Sequence, residues 1–229
     1  MSIKQPKEKN QTSEDQVIIN IRKINSTLPP NVTLAAAIKY QSQLKINAAI
    51  KAGITALCEN YVSQAEKTIE SLGPVNRKKV KLHLIGHLQS NKVRKAVELF
   101  DVIQTVDSEK IALKLNNAAK TANKTIRVLV QVNIGQENSK SGISPEGVLG
   151  LTGFISNLSN LKLIGLMAIE PLENSTFYFK QMKKLFDKLN SLGQDLTILS
   201  MGTSTNYNDA IRCGATMVRL GTALFGQRQ

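Results

Sequence analysis

The chain has no tryptophan, and its aromatic share is only 4%. Any core must therefore be filled by aliphatic side chains, and the stacking platforms that grip single-stranded nucleic acid are missing. Cysteine occurs twice, at Cys58 and Cys213, without C-x-x-C spacing. That excludes a disulfide scaffold and fits a reducing cytoplasm. Histidine also occurs twice. His83 and His87 have no third ligand of suitable type nearby, so no metal site is read from them. No apolar run approaches the roughly 20 residues that span a bilayer, so no membrane partner is expected. Residues 1–15 lack the apolar stretch of a secretory signal and are expected to form a flexible leader. Acidic residues number 17 against 30 basic ones, for a formal net charge of +13. The basic residues are dispersed (Arg77-Lys78-Lys79, Lys92 to Lys95, Lys183-Lys184). The excess therefore reads as solvated surface with weak attraction for phosphorylated metabolites, and no specific nucleic-acid partner is expected.

What is present is an alternation of strand-like and helix-like stretches over 229 residues, 41% of them hydrophobic. Gln16 to Ser26 predicts an opening helix with Val17, Ile18, Ile21 and Ile24 on one face. Strands are predicted at 33–38, 54–57, 82–85, 102–105, 127–133, 161–168, 197–199 and 217–219. Helices are predicted between them at 44–52, 62–72, 91–100, 110–122, 145–158, 175–192 and 207–212. Pro145 suits a first helical turn and Ser144 a cap. The strands are continuous apolar runs, as in sheets buried on both faces. The pattern predicts a single α/β domain over residues 16–229, a closed (β/α)8 TIM barrel with an extra N-terminal helix. An open doubly wound sheet is the alternative, although no Gly-x-Gly-x-x-Gly turn follows the first strand.

In such a barrel the chemistry gathers at the strands' C-terminal ends, and phosphate commonly sits at the last two loops. Lys39 closes the apolar run Val32 to Ile38. An amine at the mouth of a buried strand is partly desolvated, which favours attack on a carbonyl. Ser200-Met201-Gly202-Thr203-Ser204 and Gly221-Thr222 offer small residues with N–H and OH groups for a phosphate ester. Ser204 also reads as a cap of the following helix. Pyridoxal 5'-phosphate (PLP) carries an aldehyde and a phosphate, so this pairing predicts a PLP site. Arg219 lies on the last strand, facing either the barrel interior or the helices. A guanidinium at the pyridine nitrogen donates without releasing its proton, which makes the ring a poor electron sink. His87 is expected to bond the ring or nearby loops, and Cys58 to be a small packed residue.

From Val17 to Gln229 the chain resembles the pyridoxal-phosphate homeostasis protein family, relatives of the alanine racemase N-terminal barrel. The stretches that carry the resemblance are Glu59 to Val62, His83 to Lys92, Ser139 to Gly142, Gly165 to Ile169 and Gly214 to Gly226. The resemblance implies that Lys39 holds PLP as a Schiff base. It also places Asn60 near the ring, Met201 against the ring face, Arg219 at the ring nitrogen, and Ser204, Gly221 and Thr222 on the phosphate. It implies a role in the cellular supply of PLP with no dedicated turnover, apart from weak side activity, and PLP-dependent apo-enzymes as further partners of a monomer. Three stretches depart from the family's pattern: Ile38-Lys39-Tyr40-Gln41 lacks its second lysine, Cys58 replaces its glycine before Glu59-Asn60, and Thr203-Ser204-Thr205-Asn206 replaces its Met-Ser-acidic stretch. The competing reading is a PLP-dependent racemase or lyase. A racemase needs acid/base groups on both faces of the substrate carbon, and no counterpart of the racemase's β domain follows the last predicted strand.

Overall fold

The computed structural model describes residues 13–137 and 139–227. Eight strands form a closed parallel barrel in chain order, with β8 returning to pair with β1. They are β1 (Thr33–Ala37), β2 (Ala56–Glu59), β3 (Lys81–Leu84), β4 (Val102–Val106), β5 (Ile126–Val132), β6 (Leu161–Ala168), β7 (Ile198–Ser200) and β8 (Met217–Leu220). Helix α1 (Ser13–Asn25) precedes the barrel, and α2 (Gln43–Lys51), α3 (Val62–Lys79), α4 (Val93–Leu99), α5 (Glu109–Thr121), α6 (Val148–Ser156), α7 (Ser175–Ser191) and α8 (Tyr207–Arg212) alternate with the strands. The fold is the expected TIM barrel. Of the leader expected over residues 1–15, residues 1–12 lie outside the described residues, and Ser13 to Asp15 already belong to α1.

Two layers of apolar side chains hold the barrel. The outer one packs strands against helices through residues such as Leu34, Leu57, Leu82, Val128, Leu166 and Val218. The inner one is divided: Ala35, Ala56, Cys58 and Met217 on one side, Val102, Leu129, Ile164 and Met167 on the other. The alternation of strand side chains produces this division. Small residues on β1 and β2 leave interior space for long polar side chains from β4 and β8.

Several boundaries differ from the sequence reading. β2 begins two residues later than predicted because the N–H of Ile54 bonds back to the carbonyl of Ala49, so Ile54 ends α2 rather than opening a strand. α3 runs past Leu72 to Lys79, but Gly73 breaks it at φ 66° and ψ 169°, and Pro74 starts the second piece. Ser144 stands at the cap position before Pro145 without a side-chain cap bond. A last helix, α9 (Thr222–Phe225), escaped the sequence reading because its four residues are too few to show a period.

Candidate functional site

Lys39 follows β1 by two residues, on the inward face it shares with Ala35 and Ala37. Ile38 extends the ladder through its N–H to the carbonyl of Cys58, and Tyr40 then turns the chain at φ 61°. Lys39 Nζ donates to Tyr61 Oη at 3.1 Å and lies 4.9 Å and 4.8 Å from the ring centroids of Tyr40 and Tyr61. The ammonium lowers the Tyr61 phenol below its ordinary value, by hydrogen bond first and by charge second. Beside Tyr61 opens a groove of about 400 Å³, lined by Asn60, Gly86, His87, Gln89 and Lys92 among others. His87 Nδ1 is 3.8 Å from Asp107 Oδ2, so this ring meets a neighbouring loop.

Gly86 is required here by crowding. A Cβ at this position would lie 2.1 Å from the backbone oxygen of Asn60. Gly86→Ala is therefore expected to push the rim carrying Asn60 outward and to cost about 1–3 kcal/mol. A urea midpoint within error of wild type would contradict this close approach.

The loops after β7 and β8 meet, through a contact different from the expected cap. Ser204 does not cap α8. Its Oγ crosses to the next loop and accepts from the backbone N–H groups of Gly221 and Ala223, both at 3.1 Å. Asn206 holds the loop instead: its Oδ1 accepts from the Thr203 N–H at 2.9 Å, and its Nδ2 donates to Glu170 Oε1 at 2.8 Å. The Gly221 and Ala223 N–H groups are taken, and among the described residues the Ser204 O–H and the Thr222 N–H between them are left to donate to a phosphate oxygen. An Ala37 Cβ lies 3.7 Å from where a Gly221 side chain would begin, so the strand leading to Lys39 runs alongside this cup. The residues present thus fit a phosphate ester beside an amine. Met201 is fully buried in the outer core layer, behind the loop. Its side chain goes there because Ser200 takes the inward position.

Arg219 points into the barrel, 4% exposed. Its NH1 donates to Ser200 Oγ and its NH2 to the carbonyl of Ala168, both at 2.8 Å. Burial lowers the guanidinium's pKa, and Glu170 is the main group opposing that shift. Two of its five donors are used in these bonds, leaving others for an acceptor above. Cys58 is no nucleophile: burial pushes its thiol up to about 12. Glu59 turns away from the barrel interior and accepts from Thr68 Oγ1 of α3 at 2.9 Å.

Below Arg219 runs a buried chain that sequence reasoning missed. Ser200 Oγ donates to Gln104 Oε1 at 2.7 Å, and Gln104 Nε2 faces His83 Nδ1 at 2.8 Å. The signal was a glutamine inside the apolar stretch Val102 to Val106, which a surface reading of β4 does not explain. Burial lowers the His83 imidazole from 6.5 to about 4, while Asp101 works against that shift and Arg127 adds to it. An unfolded chain protonates this ring as pH falls through 6.5, and the folded one only near 4. Stability from this residue is therefore complete above 6.5 and is lost towards pH 4, by a total of about 3 kcal/mol. His83→Gln is expected to flatten that part of the pH–stability curve, measured as urea midpoints; an unchanged slope would contradict the assignment.

The sequence pattern of the alanine racemase N-terminal domain family matches residues 13–229. A pyridoxal phosphate homeostasis protein of Haemophilus influenzae is 44% identical over 206 residues, 86% of this chain and 85% of that one. The structure of PipY from Synechococcus elongatus PCC7942 with PLP bound superposes with a TM-score of 0.84 at 33% identity, over 92% of this chain and all of that one. An alanine racemase of Clostridium difficile 630 shares the fold at a TM-score of 0.79 and 18% identity, with 57% of its length covered.

Proposed function

Because the chain belongs to the alanine racemase N-terminal domain family, and within it to the pyridoxal phosphate homeostasis proteins, we propose that it binds PLP and serves the intracellular balance of that coenzyme. Lys39 holds PLP as a Schiff base. The Ser204 hydroxyl and the N–H groups around Gly221 and Thr222 take the phosphate, with Asn60 at the rim. Met201 supports the loop from behind. The observation that carries this reading is the cup itself: two backbone donors converge on Ser204 Oγ at 3.1 Å, alongside the strand that ends in Lys39.

When bound, PLP supplies an electrophilic aldehyde and a ring that can draw electrons from an attached amine carbon. The residues here limit the second property. Arg219 would donate to the ring nitrogen of bound PLP and keep its own proton, which would leave that nitrogen uncharged. Tyr61 accepts from Lys39 Nζ at 3.1 Å and holds the amine at the rim until it is engaged. We therefore read the site as one for holding PLP and releasing it to PLP-dependent apo-enzymes, with no dedicated turnover. We read it as a monomer working in the cytoplasm, a compartment in which thiols such as Cys58 and Cys213 stay reduced. Incubating the PLP-loaded protein with L-alanine and other amino acids is expected to yield no more than traces of D-enantiomer or keto acid. Sustained production of either would replace this reading with that of a racemase or lyase.

A further inference from the structure

At the end of the barrel opposite Lys39, the N-terminal ends of the strands surround a cavity of about 320 Å³. That is within the range of small-molecule sites. Ala56, Ile198 and Met217 contribute apolar wall, while Lys78, Lys79, Lys81 and Arg127 stand around the mouth. Arg127 is there because alternation along β5 gives it the inward face of Leu129. Asp101, just before β4 at this end, is already engaged. Its Oδ2 takes Arg77 at 2.9 Å and the Leu82 N–H at 2.8 Å, and its Oδ1 lies 3.8 Å from Lys81. Lys78, Lys79 and Arg127 form no ion pair among the described residues.

The second observation is a proton donor whose identity is fixed from the far end of the buried chain. Arginine only donates, so Ser200 Oγ must accept from Arg219 and spend its single proton on Gln104 Oε1. The Gln104 amide then presents its NH2 to His83, and Nδ1 can only accept. The proton of the neutral imidazole is therefore on Nε2. His83 is 4% exposed and lines the cavity, and its Nε2 makes no hydrogen bond among the described residues. The cavity thus combines an apolar wall, an N–H donor on a largely buried ring and a cationic mouth.

We propose that this cavity is a second ligand site, separate from the Lys39 rim, for a small organic anion. Its carboxylate or phosphate monoester group pairs with Lys79, Lys81 and Arg127 at the mouth. Its apolar body lies along Ala56, Ile198 and Met217, and one acceptor atom takes the His83 Nε2–H. The proposal does not depend on PLP at the rim.

The chain's two histidines make the test direct. Ring-proton NMR signals are assigned with His87→Gln, and the apo-protein is titrated with phenyl phosphate and with inorganic phosphate. The expected result is a saturable shift of the His83 signal with phenyl phosphate and a markedly weaker one with inorganic phosphate. The shift is expected to persist in Ser204→Asp, which blocks the rim cup, and to need about tenfold more ligand in Arg127→Gln or Lys79→Gln, the effect of losing one charge-assisted contact. An unmoved His83 signal, a shift lost in Ser204→Asp, or an affinity unchanged in both mouth variants would overturn the site.

Discussion

Replacing Lys39 by alanine is expected to abolish covalent capture of PLP altogether. Borohydride reduction of the PLP-treated variant should leave no added mass, and the visible band of the coenzyme–lysine adduct should be absent. The fold should hardly notice. Lys39 sits at a rim, its hydrogen bond to Tyr61 is exposed, and its contacts with two tyrosine rings are of the surface kind. Together these contribute little to stability. Residual weak PLP binding through the phosphate cup is consistent with the account, since Ser204 and its two N–H partners are untouched. Retention of a reducible adduct would contradict it. So would a large fall in the melting temperature of the apo-protein, because it would make Lys39 a structural residue.

Arg219→Met should have the largest effect on stability, about 3–5 kcal/mol. The side chain it removes is buried and serves Ser200 Oγ and the Ala168 carbonyl. Its charge also faces Glu170, a buried carboxylate whose Oε1 is held by Asn206 and whose Oε2 has no partner among the described residues. Without the guanidinium that carboxylate remains in the interior uncompensated. Because Asn206 also fixes Thr203, the disturbance reaches the phosphate loop, and PLP binding is expected to weaken as well. The cause can be isolated. Adding Glu170→Gln to Arg219→Met should restore a substantial part of the lost stability, measured as urea midpoints. A second loss on top of the first, or a cost below about 1 kcal/mol for Arg219→Met alone, would exclude an uncompensated charge as the reason.

The barrel and its rim were legible in the sequence because the signals there are local. An unbroken apolar run ending on lysine, and small hydroxyl and glycine residues after the last two strands, keep their meaning wherever the chain goes. Ser204 shows the limit. As a residue before a helix it reads as a cap, yet its oxygen serves the loop after β8, 17 residues further on, a partner that only barrel closure provides. Arg219 shows another. Alternation left two directions open, and the choice depends on the space that Ala35, Ala56 and Cys58 leave inside. Met201 and Ser200 are decided by the same parity, which puts the hydroxyl inward and the methionine into the outer layer. The chain from Ser200 through Gln104 to His83 joins residues 96 and 21 positions apart, so no local spacing rule announces it. What sequence did offer was the oddity of polar residues at buried positions, each of which needs a partner.

The central claim is that one amine holds the coenzyme at the C-terminal rim. Wild-type protein is loaded with PLP, reduced with borohydride, digested, and mapped by mass spectrometry. The account predicts a single pyridoxyl-phosphate adduct, on Lys39, at close to one per chain. An adduct on another lysine in preference to Lys39, or none after loading, would contradict it.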